Sequence, residues 1–310
     1  MTSHHPHDLH VRTPDGLELA VRDHGGDGPP LLLLHGAGRT LLDWERVAPL
    51  LTGRHRVVAM DLRGHGRSGD GTWTFPDVLA DVAAVRAALG LADAAVVGHS
   101  LGGMVATLCL DEDPGVPVAV NLDGHGMGRP EQYLGLDRSY VEERLAEARK
   151  FTEDAAGRAF PKEALDGVLA YQASMAQKLG IPYDLLEAGV RRSLGETEDG
   201  ALFLRPARMP GLEMHAAMAG LDLFARYAGV CRPLLIVRAL RPNPSVPGVP
   251  WFDELMAAYT KGLARDLERL GRDHPQVTVA GVDGTHAMPL ERPGEVAELI
   301  SGFVRRAARA

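Results

Sequence analysis

The chain has 310 residues, 45% of them hydrophobic and 24% charged, enough for one large domain with an insertion or for two domains. A net charge of −8 with no block of Lys or Arg argues against nucleic acid and anionic membrane surfaces as partners. No apolar run is long enough to predict a membrane span. Residues 1–10 lack the apolar stretch of a secretory signal. His4, His5 and His7 could bind a metal weakly there, but a disordered tail is the expectation. The two cysteines, Cys109 and Cys231, stand in apolar surroundings. They predict buried free thiols, a reducing compartment and hence a cytoplasmic location.

In chain order, 9–13 and 17–22 flank the turn tripeptide Pro14-Asp15-Gly16 and predict an opening hairpin. The all-leucine run 31–34 has the pattern of a parallel strand covered on both faces. It runs into His35-Gly36-Ala37-Gly38, followed by a predicted helix over 42–51. Residues 57–60 predict the next strand, ending at Asp61-Leu62-Arg63-Gly64-His65-Gly66-Arg67-Ser68, and a helix follows over 75–89. Residues 94–97 form a further apolar strand, broken at Gly98, with apolar helix from 104 to 110. A strand over 116–122 ends in Asp123-Gly124-His125-Gly126.

Beyond Gly126 the strand–helix alternation stops, and no convincing strand is visible until about Gly229. Leu165, Val168, Leu169 and Met175 share one helical face, as do Met214, Met218, Leu221 and Phe224. Alternation returns with a strand over 234–237, a helix over 251–270, a strand over 277–282 and a closing helix over 293–308. The prediction is a doubly wound, mostly parallel α/β core (1–123 and 231–310) interrupted by a helical insertion (124–230).

The segment 98–102, Gly-His-Ser-Leu-Gly, lies at the break between strand and helix. A serine whose Oγ must stand clear of the backbone needs a sharp strand-to-helix turn. Such a turn brings main chain against main chain, so Gly98 and Gly102 must lack side chains. The following helix aims N–H groups and the positive end of its dipole at any oxyanion formed at Ser100.

With His35-Gly36-Ala37-Gly38, the run 61–68, Gly98-His99-Ser100-Leu101-Gly102-Gly103, and Gly284-Thr285-His286 with Glu291-Arg292-Pro293, the chain resembles the α/β-hydrolase superfamily. The likeness is to its esterase, lactonase and epoxide-hydrolase-like branch, over most of 8–123 and 231–308. The resemblance implies a Ser100 nucleophile, His286 as its base, and an oxyanion hole from the N–H groups of Leu101 and Ala37, with Gly36 the near alternative. It implies that the insertion is a cap over the active site. His35, Asp61 and His65 are expected to stabilise loops.

Most relatives place the acid just after the strand that is here 234–237. This chain has Arg238-Ala239-Leu240-Arg241-Pro242-Asn243-Pro244 there, without a carboxylate. A histidine that becomes imidazolium needs a carboxylate on its other nitrogen. Asp123, at the end of the strand after the nucleophile helix, is the favoured acid, as in zearalenone-type lactonases, with Asp253 and Asp283 as alternatives.

The expected activity is hydrolysis of a carboxylic ester or lactone of a mainly apolar small molecule, without cofactor or metal, by a chain acting alone or as a homodimer. Met127, Tyr133 and Met218, with Gly36, are the expected substrate contacts. Hydrolysis of a carbon–carbon bond in a diketone acid, cofactor-free perhydrolysis of the haloperoxidase type, and a non-enzymatic ligand receptor are the other readings open to this fold.

Overall fold

The computed structural model describes residues 6–246 and 248–309. The chain opens with strands β1 (His7–Arg12) and β2 (Glu18–Gly25), then β3 (Leu31–Leu34), helix α1 (Ala48–Leu51) and β4 (Val57–Met60). Helix α2 (Phe75–Ala88), β5 (Ala95–His99), α3 (Leu101–Glu112) and β6 (Ala119–Leu122) complete the first half. An inserted segment carries α4 (Arg138–Ala155), α5 (Leu165–Leu179), α6 (Tyr183–Arg192), β7 (Leu194–Glu196), β8 (Leu202–Leu204), α7 (Arg208–Gly220) and α8 (Leu223–Gly229). The core resumes with β9 (Leu234–Ala239), α9 (Pro250–Asp273), β10 (Val277–Val282), α10 (Met288–Glu291) and α11 (Pro293–Ala307).

Eight strands form one sheet in the order β1-β2-β4-β3-β5-β6-β9-β10. From β4 to β10 every pairing is parallel, and β1 and β2 are antiparallel additions at one edge. Side chains alternate across a strand, so Leu32 and Leu34 join one apolar cluster with Val58, Met60 and Val105. Leu31 and Leu33 join another with Val57, Ala59, Trp44 and Ile300 on the opposite face. Both faces of β3 are therefore covered, which is why its sequence is apolar without interruption.

Several predicted elements change shape for identifiable reasons. The helix expected over 42–51 divides into a 3-10 turn, Leu41–Trp44, and the short α1. Pro49 has no N–H to continue the first turn, but fits the opening turn of a new helix. Strand β6 starts at Ala119 because Pro117 cannot donate to a ladder. The insertion, expected to be wholly helical, contains the antiparallel pair β7–β8. Its three-residue strands are too short to show a period, and Phe203 packs where a Cβ on Gly195 would stand, 2.3 Å from its Cζ. His7 opens β1 rather than lying in a disordered tail, and His4 and His5 lie outside the described residues. Cys109 is buried as expected, but Cys231 is exposed. Among the described residues, no helix is long and apolar enough to cross a membrane.

The inserted segment is tied to the loops at the C-terminal ends of the strands. Arg192, the last residue of α6, donates to the buried Asp61 at 2.8 Å, Glu213 of α7 accepts the Trp73 N–H at 2.8 Å, and Arg205 reaches the Gly66 carbonyl at 2.8 Å. Asp61 also takes the N–H groups of Leu41 and Arg67, so one carboxylate knits three loops together.

Candidate active site

Ser100 sits between β5 and α3 with φ 54° and ψ −118°, in a region side chains disfavour and which persists only where the surroundings impose it. They do so here. A Cβ on Gly98 would lie 1.8 Å from the Gly102 carbonyl oxygen, and one on Gly102 would lie 2.2 Å from that of Leu34. The Ser100 N–H donates to Leu122 of β6 at 2.8 Å, fixing the turn against the neighbouring strand. Gly36 passes so close that a Cβ on it would be 3.1 Å from the Ser100 Cβ. Among the described residues, the N–H groups of Ala37 and Leu101 donate to no acceptor. Both flank Ser100, one from the loop after β3 and one from the first residue of α3.

Asp123 follows β6 and has φ 54° as well. This backbone turns the residue onto the end of β9: its N–H donates to Val237 at 2.7 Å and its Oδ1 accepts the Ala239 N–H at 2.9 Å. Its Oδ2 accepts from His286 Nδ1 at 2.7 Å. Burial pushes the Asp123 pKa up, but the hydrogen bond and charge of His286, the nearby His125 and the Ala239 N–H outweigh it and hold the group well below the usual carboxylate range. A carboxylate from β6 thus occupies the tip of β9, the strand whose own loop lacks one. Asp253 is exposed in the first turn of α9. Asp283 is exposed and faces Arg241 and Arg292.

The histidine loop is held from several sides. The His286 N–H donates to Asn243 Oδ1 at 3.0 Å, and the His286 carbonyl accepts from His99 Nε2 at 2.7 Å. Glu291 takes both the N–H and the hydroxyl of Thr285, at 2.6 and 2.9 Å. The imidazole is 40% exposed, leaving Nε2 open on the side away from Asp123. No hydrogen bond joins it to Ser100 Oγ among the described residues; such contacts are commonly long in empty sites and tighten with substrate. His99 and Asn243 carry no separate sequence signal: one is the variable position of Gly-x-Ser, the other a single Asn in a proline-rich loop. His35 donates from Nδ1 to Gly36 and accepts the Leu62 N–H on Nε2, a loop-holding arrangement.

Residues 31–299 match the sequence profile described as the alpha/beta hydrolase family, most of the chain. The chain belongs to the alpha/beta hydrolase family. As a family member it is 41% identical over 86 residues to a fluoroacetate dehalogenase of a Burkholderia species, 26% of this chain and 28% of that one. It is 43% identical over 97 residues to a non-heme haloperoxidase of Rhodococcus erythropolis, 30% and 35% of the two chains. The alpha/beta hydrolase thus spans about a third of the length of these curated relatives. Among solved structures, E-2-(acetamidomethylene)succinate hydrolase superposes with a TM-score of 0.68 at 24% identity, covering 96% of this chain and 100% of that one. A thioesterase domain from the curacin biosynthetic pathway gives 0.65 at 18% identity, over 96% and 99%. At these identities the likeness is one of fold.

The expected substrate contacts in the insertion of this alpha/beta hydrolase fare differently. Tyr133 is buried, stacks on Tyr259 with ring centroids 5.2 Å apart, and donates to the Met127 carbonyl. It is a core residue. Met127 is exposed, and Met218 packs against the main apolar cluster. A cavity of about 520 Å3 between α8 and α9, with Phe224, Asp266 and Leu270 in its wall, is lined by none of Ser100, Asp123 and His286.

Proposed function

We propose that this alpha/beta hydrolase cleaves a carboxylic ester or lactone through an acyl-enzyme on Ser100. The observation that carries the reading is the 2.7 Å bond from His286 Nδ1 to Asp123, formed beside a serine held on a strained strand-to-helix turn. Asp123 fixes the tautomer with the proton on Nδ1, so Nε2 is a free base. Ser100 Oγ attacks the carbonyl carbon while His286 Nε2 takes its proton. The N–H groups of Ala37 and Leu101 donate to the resulting oxyanion, helped by the N-terminal dipole of α3. The tetrahedral adduct collapses as the imidazolium protonates the leaving oxygen. A water, deprotonated by the same nitrogen, then releases the acid and restores Ser100. The segment 124–230 acts as a cap on this site.

A serine at the apex, where dehalogenase-like and epoxide-hydrolase-like branches carry a carboxylate nucleophile, favours ester chemistry over theirs. The haloperoxidase likeness supports one further reading, perhydrolysis, in which peroxide replaces water on the same acyl-enzyme. Labelling with an organophosphonate tests the proposal. Wild-type protein should take up one phosphonate at Ser100, and Ser100→Ala should lose both labelling and ester turnover. Labelling that persists in the variant overturns the assignment. Halogenation that requires added peroxide and a carboxylic acid would mark the second reading.

A further inference from the structure

Arg39 stands beside Ser100 with hydrogen-bonding capacity to spare. Its Cγ lies 3.6 Å, and the Ser100 Cβ 3.1 Å, from the point a Cβ on Gly36 would occupy, so the arginine stem flanks the serine. Asp43, whose side chain is 6% exposed, accepts from Nε and Nη2 at 2.8 and 2.6 Å. A guanidinium carries five N–H donors, and the remaining ones meet no acceptor among the described residues. Arg39 lines a cavity of about 50 Å3 together with Gln172 of α5 and Ser193 after α6, room for a few heavy atoms. Neither the Gln172 amide nor the Ser193 hydroxyl is hydrogen-bonded among the described residues. The same two helices reach the other side of the site, where Leu179 and Leu186 pack with Ala287 and Leu290 beyond His286.

We propose that this cavity is an acyl subsite that recognises a neutral oxygen, such as a ketone, hydroxyl or amide carbonyl, on the acid portion of an otherwise apolar ester or lactone. The inference rests on the ester-hydrolase reading and adds a substrate class to it. The side follows from chain connectivity. The leaving oxygen must lie at His286, which protonates it. The cavity, lined by Gly38 and Arg39 but not by Ser100 or His286 themselves, instead continues the loop whose Ala37 N–H would hold the carbonyl oxygen, and Arg39 borders Gly36 together with Ser100. The charge follows from Asp43, which already neutralises Arg39. A substrate carboxylate would be brought next to a buried carboxylate, whereas a neutral acceptor gains a charge-assisted bond without that repulsion.

Three p-nitrophenyl esters test this: pentanoate, levulinate, which places a ketone in the chain, and hemisuccinate, which places a carboxylate there. Levulinate should exceed pentanoate in kcat/KM by at least about tenfold, the usual worth of a hydrogen bond to a charged group, and hemisuccinate should not. Gln172→Leu, Ser193→Ala and the paired Arg39→Met/Asp43→Leu, which strands no charge, should each reduce the levulinate preference, the last to below about twofold. A wild-type ratio near one, a tenfold preference for hemisuccinate, or a preference unchanged in all variants overturns the proposal. Titrating Ser100→Ala protein with methyl levulinate and methyl pentanoate separates this from a failure of the ester chemistry. The Arg39 Nε–H and Gln172 amide resonances should shift with levulinate alone whether or not any ester is hydrolysed, and equal responses to both esters overturn the subsite.

Discussion

The imidazole of His99 donates its Nε2 proton to the main-chain carbonyl of His286 at 2.7 Å, with the two rings 4.7 Å apart. His99 immediately precedes Ser100, so this bond ties the turn that carries Ser100 directly to the loop that carries His286. Burial pushes the His99 pKa down to about 3, which keeps the ring neutral and places no competing positive charge beside an imidazolium at His286. His99 is in this view a positioning residue. His99→Phe should lower kcat by about tenfold to a hundredfold, the usual cost of a small displacement of a catalytic group, with KM within about twofold. His99→Gln, which can still donate to the carbonyl, should recover much of the loss. Equal losses in both variants, or a change in KM alone, would remove this role.

Asp123→Asn tests the acid. The amide cannot stabilise the imidazolium and favours the wrong tautomer, so kcat should fall by about a thousandfold or more. Asp253→Asn and Asp283→Asn, both exposed and away from the His286 ring, should stay within about tenfold of wild type. Steady-state kinetics of the three variants decide, and a crippled Asp253→Asn would move the acid to the later strand.

Acid should destabilise the fold through its buried histidines. Burial pushes His35, His65 and His99 down to about 4, 3 and 3, whereas the unfolded chain's imidazoles titrate near 6.5. Between those values the unfolded state holds protons that the folded state excludes, so stability is lost as pH falls. Each ring contributes about 1.4 kcal/mol per pH unit across roughly pH 6 to 4. Asp123, held low, adds a loss of the same sign below roughly pH 4, as it protonates. Urea midpoints measured from pH 7 to pH 5 should fall steeply, and His65→Asn should flatten the slope by one ring's share. An unchanged slope in that variant would count against its neutral burial.

Two glycines separate lack of space from backbone strain. Gly98→Ala would set a Cβ 1.8 Å from the Gly102 carbonyl oxygen, so the turn must open, at a cost of at least about 3 kcal/mol. Gly38→Ala meets nothing within 4 Å but has φ +67°, and should cost only about 1–2 kcal/mol. Thermal unfolding of the two variants checks the order, and a milder effect at Gly98 would mean that the elbow tolerates rearrangement.

Much of this protein is legible in its residue order because the signals are local. The apolar runs 31–34 and 57–60 coincide with fully buried strands as predicted, since a strand covered on both faces needs no polar position. The Gly98–Gly102 spacing marks the turn at Ser100 because close main-chain approach there excludes any Cβ. Other features are set by contacts between distant segments and leave no such trace. The position of Asp123 depends on its positive φ and on two bonds to β9, a strand that follows only after the whole insertion. Asn243, His99 and His286 converge from three separate strand ends, and none of those pairings has a period or a spacing to reveal it. Tyr133, an adaptable aromatic in sequence, became core because Tyr259 of α9 packs against it. Periodicity and turn chemistry determine which elements form, whereas which side chains share a site depends on strand order and the packing of the inserted helices.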